Sequence, residues 1–148
     1  MTLTTQERWI VDQALTITNR AMMHGARLEC PESVKQYLRL HLFDVEHEVF
    51  GCIWLTTDHS VIKHEELFSG TIDAASVYPR EVVKAALACN AGAAIIYHNH
   101  PSGCEEPSQA DRTLTARLKE ALGMMDVRLL DHFVVGREVA SFAERGWL

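Results

Sequence analysis

Two histidines, His98 and His100, are the residues whose types and spacing point most directly to chemistry. They follow the short apolar run 93–97, which is typical of a buried strand. Because side chains alternate along a strand, the two imidazoles lie on one face, with Cα atoms roughly 6.6 Å apart. At that spacing both rings can reach a single metal ion at about 2.0–2.1 Å. By itself the pair is also compatible with an ordinary polar strand end.

Asp111 is the candidate for a third ligand. Pro101 and Gly103 end the strand, and Ser108 is a favourable N-cap residue for a following helix. Asp111 stands in the first turn of that helix, where its carboxylate can close a capping box or turn back toward the histidines. Two histidines and an aspartate leave the fourth tetrahedral position to water, and zinc lowers the pKa of such a water to about 7. The string therefore predicts a catalytic zinc site, with a simple helix cap as the alternative.

The helices and strands predicted for the rest of the chain position the segment from His98 to Asp111. Hydrophobic periodicity, turn residues and caps predict the order α-α-β-β-α-β-α-β-β. The predicted helices begin at Thr4 or Thr5, at Pro31, at Pro79 and at Pro107 and Ser108. The predicted strands are 49–55, a partner that starts at Val61 after the turn 57–60, 93–98, 127–135 and 138–142, and residues 69–76 are expected to form a loop. This order predicts an α/β fold with a mixed β-sheet flanked by helices.

Length and composition indicate a single globular domain. The chain has 148 residues, of which 47% are hydrophobic, and this is enough to form a core of its own. We therefore expect residues 1–148 to form one domain, with 1–30 as an N-terminal helical extension. No run approaches the ~18 apolar residues of a membrane helix, and the first residues lack the pattern of a signal peptide. We expect a cytoplasmic protein that does not bind membranes.

The cysteines and the net charge argue against other classes of site and partner. The cysteines are widely spaced, so we expect free thiols rather than disulfides or a cysteine-based zinc site; they are Cys30, Cys52, Cys89 and Cys104. The formal net charge of −6 argues against nucleic-acid binding by the isolated chain. Cations near the third long helix are interspersed with acids, which is typical of a solvated face. They are Arg112, Arg117, Lys119 and Arg128, with Glu120 and Asp126 between them.

The spacing His98-x-His100, then seven residues to Ser108 and two more to Asp111, resembles the JAMM motif of MPN/JAB-domain metalloproteases. The wider sequence is similar to the bacterial RadC family from about Val34 to Leu148. The matching segments are Tyr78-Pro-Arg-Glu81, His98-Asn-His-Pro-Ser-Gly103, Pro107-Ser108 and Leu129-Leu-Asp-His132. The resemblance implies an MPN/JAB-type (cytidine-deaminase-like) fold and one zinc ion per chain, held by His98, His100 and Asp111. It further implies hydrolysis of amide or isopeptide bonds in a protein or peptide substrate.

The resemblance also implies residues that act without binding the metal. The motif requires an upstream glutamate, and Glu48-Val-Phe-Gly51 matches its Glu-x-x-Gly pattern. Glu48 would take a proton from the attacking water and return it to the leaving amine, with Glu46 on the same strand face as a rival. Ser108 would donate a hydrogen bond to the developing oxyanion in addition to capping the helix. Asn99 stands where Ser or Thr is common in eukaryotic JAMM enzymes.

Other polar residues are better explained as structural. Asp131 and His132 lie in a predicted strand among apolar residues, and we expect them to satisfy each other rather than to form a second metal site. Cys104 has no cationic neighbour in the sequence that would activate its thiol. The remaining histidines have no ligand spacing and are expected at the surface or in packing; they are His24, His41, His47, His59 and His64.

The leading hypothesis is therefore a zinc-dependent hydrolase, a metallopeptidase or isopeptidase of the RadC type. RadC proteins also carry an N-terminal helix-hairpin-helix region, which we expect this chain to lack. The first alternative is a zinc-containing binding module in a DNA-repair or mobile-element assembly, which would not need Glu48. A metal-dependent nuclease would need a basic groove, which the net charge of −6 does not favour.

Overall fold

The computed structural model describes residues 2–23, 25–71 and 76–148. The helices are α1 (Thr5–Met23), α2 (Pro31–His41), α3 (Pro79–Ala88) and α4 (Gln109–Gly123). The strands are β1 (Glu48–Leu55), β2 (Val61–Gly70), β3 (Ala93–Asn99), β4 (Arg128–Val135) and β5 (Val139–Ser141). This is the predicted order of elements. The predictions for His24 and for residues 72–75 of the expected loop lie outside the described residues.

The strands form one mixed sheet in the order β2-β1-β3-β4-β5. β1 is antiparallel to β2 and to β3, and β5 is antiparallel to β4. β3 and β4 are parallel and are connected through α4, because parallel neighbours need a crossover connection. β3 is the central strand, and all of its residues are buried. The predicted α/β fold with a mixed sheet is confirmed.

Helices cover both faces of this sheet. α2 contributes Leu38 to the core on one face, and α4 contributes Leu118 to the core on the other. Successive residues of β3 point to opposite faces. Tyr97 therefore belongs to the core on the α2 face, and His98 points to the α4 face. The end of β3 thus carries one candidate ligand on the face where α4 begins.

α1 begins as its threonine cap predicts and is attached through one side. The Thr4 hydroxyl accepts from the Glu7 N–H at 3.2 Å, and the Glu7 carboxylate accepts from the Thr4 N–H at 2.8 Å. Met22 is its buried residue, and Asn19 Oδ1 accepts from the Tyr37 hydroxyl at 2.9 Å. Neither α1, with 19 residues, nor any other described helix is long and apolar enough to span a membrane.

The predicted loop 69–76 is wrong at its first two residues. Ser69 and Gly70 belong to β2, where they pair with Val49 and Glu48 of β1. Serine and glycine have little preference for strands, but the backbone hydrogen bonds to β1 override that preference. The extension matters for the site, because it brings the end of β2 alongside Glu48.

Candidate metal centre

The three candidate ligands meet where β3 ends and α4 begins. His98 lies near the end of β3, His100 follows that strand, and Asp111 is in the first turn of α4. His98 Nε2 and His100 Nε2 are 3.0 Å apart, and the Asp111 carboxylate oxygens are 3.4 Å and 3.7 Å from these nitrogens. Ligands roughly 2.0–2.1 Å from a tetrahedral zinc ion are about 3.3 Å from one another. The three side chains therefore form a group that could hold a metal ion.

The group is closed toward the protein and partly open on the other side. The side chain of His98 is 8% exposed, whereas those of His100 and Asp111 are 21% and 17% exposed. Burial by itself would raise the pKa of Asp111, but the contacts of its carboxylate with His98 and with Ser108 hold that pKa well below its usual value. Asp111 is therefore an anionic carboxylate, which is the form that binds metal ions.

A backbone carbonyl sets the tautomer of His100. His100 Nδ1 lies 2.7 Å from the carbonyl oxygen of Cys104. Because a carbonyl oxygen can only accept, Nδ1 carries the proton, and in the neutral ring Nε2 keeps a lone pair directed toward the other two side chains. Cys104 contributes to the centre through its backbone in this way.

A third histidine, His132, sets the tautomer of His98. His98 Nδ1 is 2.8 Å from His132 Nε2, and His132 Nδ1 is 2.6 Å from Thr115 Oγ1. The Thr115 hydroxyl donates to the carbonyl oxygen of Asp111 at 2.6 Å, so it accepts from His132 Nδ1. His132 Nε2 is then the acceptor for the Nδ1 proton of His98. This chain leaves His98 Nε2 with a lone pair that faces His100 and Asp111.

His132 is a residue of this centre that the sequence analysis missed. It is fully buried in β4, and burial lowers its pKa well below the usual value, so it is neutral as the hydrogen bonds require. Asp131, its expected partner, instead accepts from Ser141 Oγ at 2.6 Å and from the Ala143 N–H at 3.0 Å, and contacts only the backbone N–H of His132. The β3–β4 register puts His132 and His98 on one face of the sheet. The sequence signal for this contact is a histidine in the strand that lies parallel to the strand of His98.

Ser108 and Asp111 form a capping box at the start of α4. Ser108 Oγ accepts from the Asp111 N–H at 3.1 Å, and Asp111 Oδ2 accepts from the Ser108 N–H at 2.7 Å. The other carboxylate oxygen, Oδ1, is the one that lies 3.4 Å from His98 Nε2. Helix capping and metal binding, the two alternatives for Asp111, are therefore compatible in a single conformation.

Glu48 is the first residue of β1, on the sheet face that carries His98. Phe50 pairs with His98, so Glu48, two residues earlier, extends that face toward His100. An open groove of about 630 Å³ is lined by both predicted carboxylates, Glu48 and Glu46, and by His100. Glu48 is half-buried within β1, whereas Glu46 is exposed and precedes the strand.

The rest of the described chain offers no second centre of this kind. Within residues 2–23, 25–71 and 76–148, the group above is the only set of three potential ligands that converges. His64, in the body of the protein, has the hydroxyls of Tyr37 and Tyr97 on its two ring nitrogens. The four cysteines are free thiols, as expected.

Known proteins with similar sequences share this region. The RadC-like JAB domain matches residues 28–147. A UPF0758 protein of Vibrio cholerae is 51% identical over 142 residues, which are 96% of this chain and 90% of that protein. UPF0758 proteins of Stutzerimonas stutzeri and Azotobacter vinelandii are each 60% identical, over 128 and 122 residues.

These relatives differ in length. The matched region covers 86% and 82% of this chain, but only 57% of the S. stutzeri protein and 54% of the A. vinelandii protein. The names of the relatives state no activity. The JAB domain and the converging histidines and aspartate together are compatible with a metal-dependent hydrolase type of domain. The match to most of the chain establishes the family: this protein belongs to the RadC-like JAB domain family.

Proposed function

We propose that this protein is a zinc-dependent hydrolase that cleaves amide or isopeptide bonds in a protein or peptide. The observation that carries the proposal is the convergence of three side chains: the Nε2 atoms of His98 and His100 are 3.0 Å apart, and the two carboxylate oxygens of Asp111 lie 3.4 Å and 3.7 Å from them. Two imidazole nitrogens and a carboxylate are a ligand set that suits zinc and leaves a coordination position open in catalytic sites. Zinc in such a site supplies Lewis acidity, which makes water nucleophilic near neutral pH.

Glu48 is assigned the proton transfers. Its carboxylate takes a proton from the attacking water and returns it to the nitrogen of the leaving amine, so one group serves as base and then as acid. Its position at the start of β1, on the face of His98, supports this assignment. Glu46 lines the same groove and remains the rival.

Ser108 is assigned the stabilisation of the oxyanion that develops on the substrate carbonyl. In the capping box its oxygen accepts from the Asp111 N–H, and a serine hydroxyl has a proton of its own to donate. A donor next to the ligands is where a developing negative charge would need it. The capping box holds this hydroxyl in place before substrate arrives.

The groove beside the site favours a polypeptide substrate over nucleic acid. It is lined by Glu46 and Glu48, and carboxylates repel a phosphate backbone. We expect the protein to act in the cytoplasm on a protein or peptide, without a membrane or nucleic-acid partner for the isolated chain.

The test is hydrolysis by the zinc-loaded protein on a peptide library that includes isopeptide-linked lysines. Glu48→Gln should keep its zinc and lose turnover by on the order of 10²–10⁴-fold, the usual contribution of a general acid–base group. Glu46→Gln is the matched control and should retain activity. If Glu48→Gln is active and Glu46→Gln is inactive, the proton carrier is Glu46 and the assignment to Glu48 is wrong. A zinc-replete wild-type protein that cleaves no bond in the library would favour the binding-module alternative.

A further inference from the structure

Asn99 lies between the two candidate ligands but points to the other face of the sheet. It is the last residue of β3 and is only 4% exposed. Because side chains alternate, the amide of Asn99 cannot share the face of His98. A buried amide is costly unless its polar atoms are hydrogen-bonded, so its partners are informative.

Both polar atoms of the Asn99 amide hold the backbone around Glu48. Asn99 Oδ1 accepts from the Val49 N–H at 2.7 Å, and Asn99 Nδ2 donates to the carbonyl oxygen of His47 at 3.0 Å. His47 and Val49 are the residues on either side of Glu48. One side chain therefore holds both peptide groups that flank the proposed proton carrier.

The amide takes over where the regular pairing of β1 and β3 stops. The last pair of that ladder is Phe50 with His98. Beyond it the His100 N–H donates to the carbonyl oxygen of Val135 in β4 at 2.8 Å, on the other edge of β3. The ladder between β1 and β3 thus ends two residues short of the Glu48 position. The Asn99 side chain supplies a donor and an acceptor in its place.

We propose that Asn99 is a positioning residue that holds Glu48 in register with His98 and His100. The proposal deepens the function proposed above and rests on it for the role of Glu48. The two candidate ligands and Asn99 belong to the tripeptide His98-Asn99-His100. This tripeptide would therefore set the distance between a bound metal and the Glu48 carboxylate. Small displacements of a catalytic group can cost on the order of 10²-fold in rate, which is why the two hydrogen bonds of Asn99 matter.

Only an amide can make both contacts at this length. Asn99→Ala removes both hydrogen bonds. Asn99→Asp has nearly the same shape and keeps an acceptor for the Val49 N–H, but it turns a carboxylate oxygen toward the carbonyl oxygen of His47. Tyr37→Phe is the matched control, because it removes a buried hydroxyl on the same sheet face whose hydrogen bonds go to Asn19 and His64 and not to β1.

The experiment uses the full chain with zinc and reads Glu48 directly. Glutamate labelled with ¹³C at the carboxyl carbon gives a Glu48 resonance, assigned with Glu48→Gln, and hydrogen exchange reports on the Val49 amide. In the wild type and in Tyr37→Phe, we expect the Glu48 resonance to shift when zinc is added. In Asn99→Ala we expect one bound zinc, less than half of that shift and faster exchange of the Val49 amide, with Asn99→Asp in between.

Turnover supplies an independent reading. We expect Asn99→Ala to lower kcat by about 10–100-fold with little change in KM, the range known for residues that orient a metal site. In the Glu48→Gln background the same substitution should cost no further activity, because the group that it positions is already lost. A purely structural loss would reduce both backgrounds equally.

The contrary results are specific. A Glu48 resonance that responds to zinc in Asn99→Ala as it does in the wild type, or a Val49 amide that exchanges at the wild-type rate, would overturn the proposal. If Asn99→Ala does not fold, Asn99→Asp is judged by the same criteria. A protein that binds no zinc or cleaves nothing would count against the proposed function. The exchange of the Val49 amide would then still test whether Asn99 holds the backbone around Glu48.

Discussion

In the described part of the chain, two polar clusters that include histidine lie on opposite faces of one sheet, and β3 contributes neighbouring residues to them. On the α4 face, His98 joins the candidate metal centre. On the α2 face, Tyr97 is part of a second cluster, the tyrosine–histidine cluster, which consists of Asn19, Tyr37, His64 and Tyr97. Both clusters contain hydrogen-bonded histidine rings, but their hydrogen bonds are arranged differently.

In the tyrosine–histidine cluster, both ring nitrogens of His64 have a hydroxyl partner. His64 Nδ1 is 2.6 Å from the Tyr37 hydroxyl, and His64 Nε2 is 2.6 Å from the Tyr97 hydroxyl. The Tyr37 hydroxyl donates in turn to Asn19 Oδ1 at 2.9 Å. Burial, aided by the charge of His41, lowers the pKa of His64 to about 4. This ring is neutral and satisfied, and its cluster joins α1 and α2 to the sheet.

In the candidate metal centre the lone pairs face one another instead. In the neutral rings, the Nδ1–H of His98 donates to His132 Nε2 and the Nδ1–H of His100 donates to the carbonyl oxygen of Cys104, so the two Nε2 atoms, 3.0 Å apart, carry lone pairs. Two lone pairs at that distance repel each other unless a proton or a cation lies between them. Converging lone pairs, and not the number of histidines, therefore distinguish the candidate metal centre from a polar core.

The largest effect should come from separating the two roles of Asp111. Asp111→Asn keeps an amide oxygen for the helix cap but removes the anionic ligand. We expect its zinc affinity to fall by more than the roughly 10–100-fold that residues orienting a ligand usually contribute. Competition with a chromophoric chelator measures this. Wild-type affinity in Asp111→Asn would show that the carboxylate only caps α4.

The tyrosine–histidine cluster should make stability depend on pH without any metal. The pKa of His64 is about 4 in the folded protein and about 6.5 when unfolded, so the unfolded state takes up the proton first as pH falls. Stability from this group is complete above about pH 6.5 and is lost as pH falls toward 4, by on the order of 3 kcal/mol. Urea unfolding of metal-free wild type and His64→Gln between these pH values measures the difference.

His41 and Glu65 act on His64 in opposite directions, and Tyr37 and Tyr97 stay neutral throughout this range. Histidines that do not interact with His64 contribute equally in both proteins, so they cancel in the comparison. Equal losses of stability in wild type and His64→Gln would contradict the account of this cluster.

A smaller effect is expected from His132, which contacts His98 Nδ1 but is not one of the candidate ligands. His132→Ala leaves the Nδ1 proton of His98 without its acceptor, and zinc affinity should fall by about 10–100-fold. Ser141→Ala removes a nearby buried hydroxyl that hydrogen-bonds Asp131 instead, so it should lower stability and leave zinc affinity unchanged. Equal zinc affinities in the two variants would show that His132 is only a packing residue.

The smallest effect should come from the cap alone. Ser108→Ala removes the hydroxyl that accepts from the Asp111 N–H and should cost about 1 kcal/mol in the free energy of unfolding. Zinc should be retained, since the Asp111 carboxylate is unchanged. Loss of zinc in this variant would contradict this expectation and would show that the Ser108 hydroxyl is needed to orient the Asp111 carboxylate.

Local patterns were enough to predict the elements and the convergence of the two histidines with Asp111. Strand alternation places His98 and His100, and the cap at Ser108 places Asp111. What was missed depends on contacts between distant segments. His132 is 34 residues from His98, and Asn99 is 50 residues from Val49. Such pairs become visible only when the order and register of the strands are known.

The wrong boundary at the end of β2 has the same cause. Serine and glycine at the end of β2 predict a loop when read locally, but Ser69 and Gly70 are paired with β1. Pairing across the sheet decided their conformation, and this pairing extends β2 to the start of the groove.

Metal content is the most direct test of the central claim that His98, His100 and Asp111 hold zinc. The protein is purified, loaded with zinc, dialysed and analysed by elemental mass spectrometry, beside a double His98→Ala, His100→Ala variant and a His64→Ala control. We expect about one zinc per chain in the wild type and in His64→Ala, and almost none in the double variant. Stoichiometric zinc in the folded double variant would contradict the site and with it the proposed hydrolase.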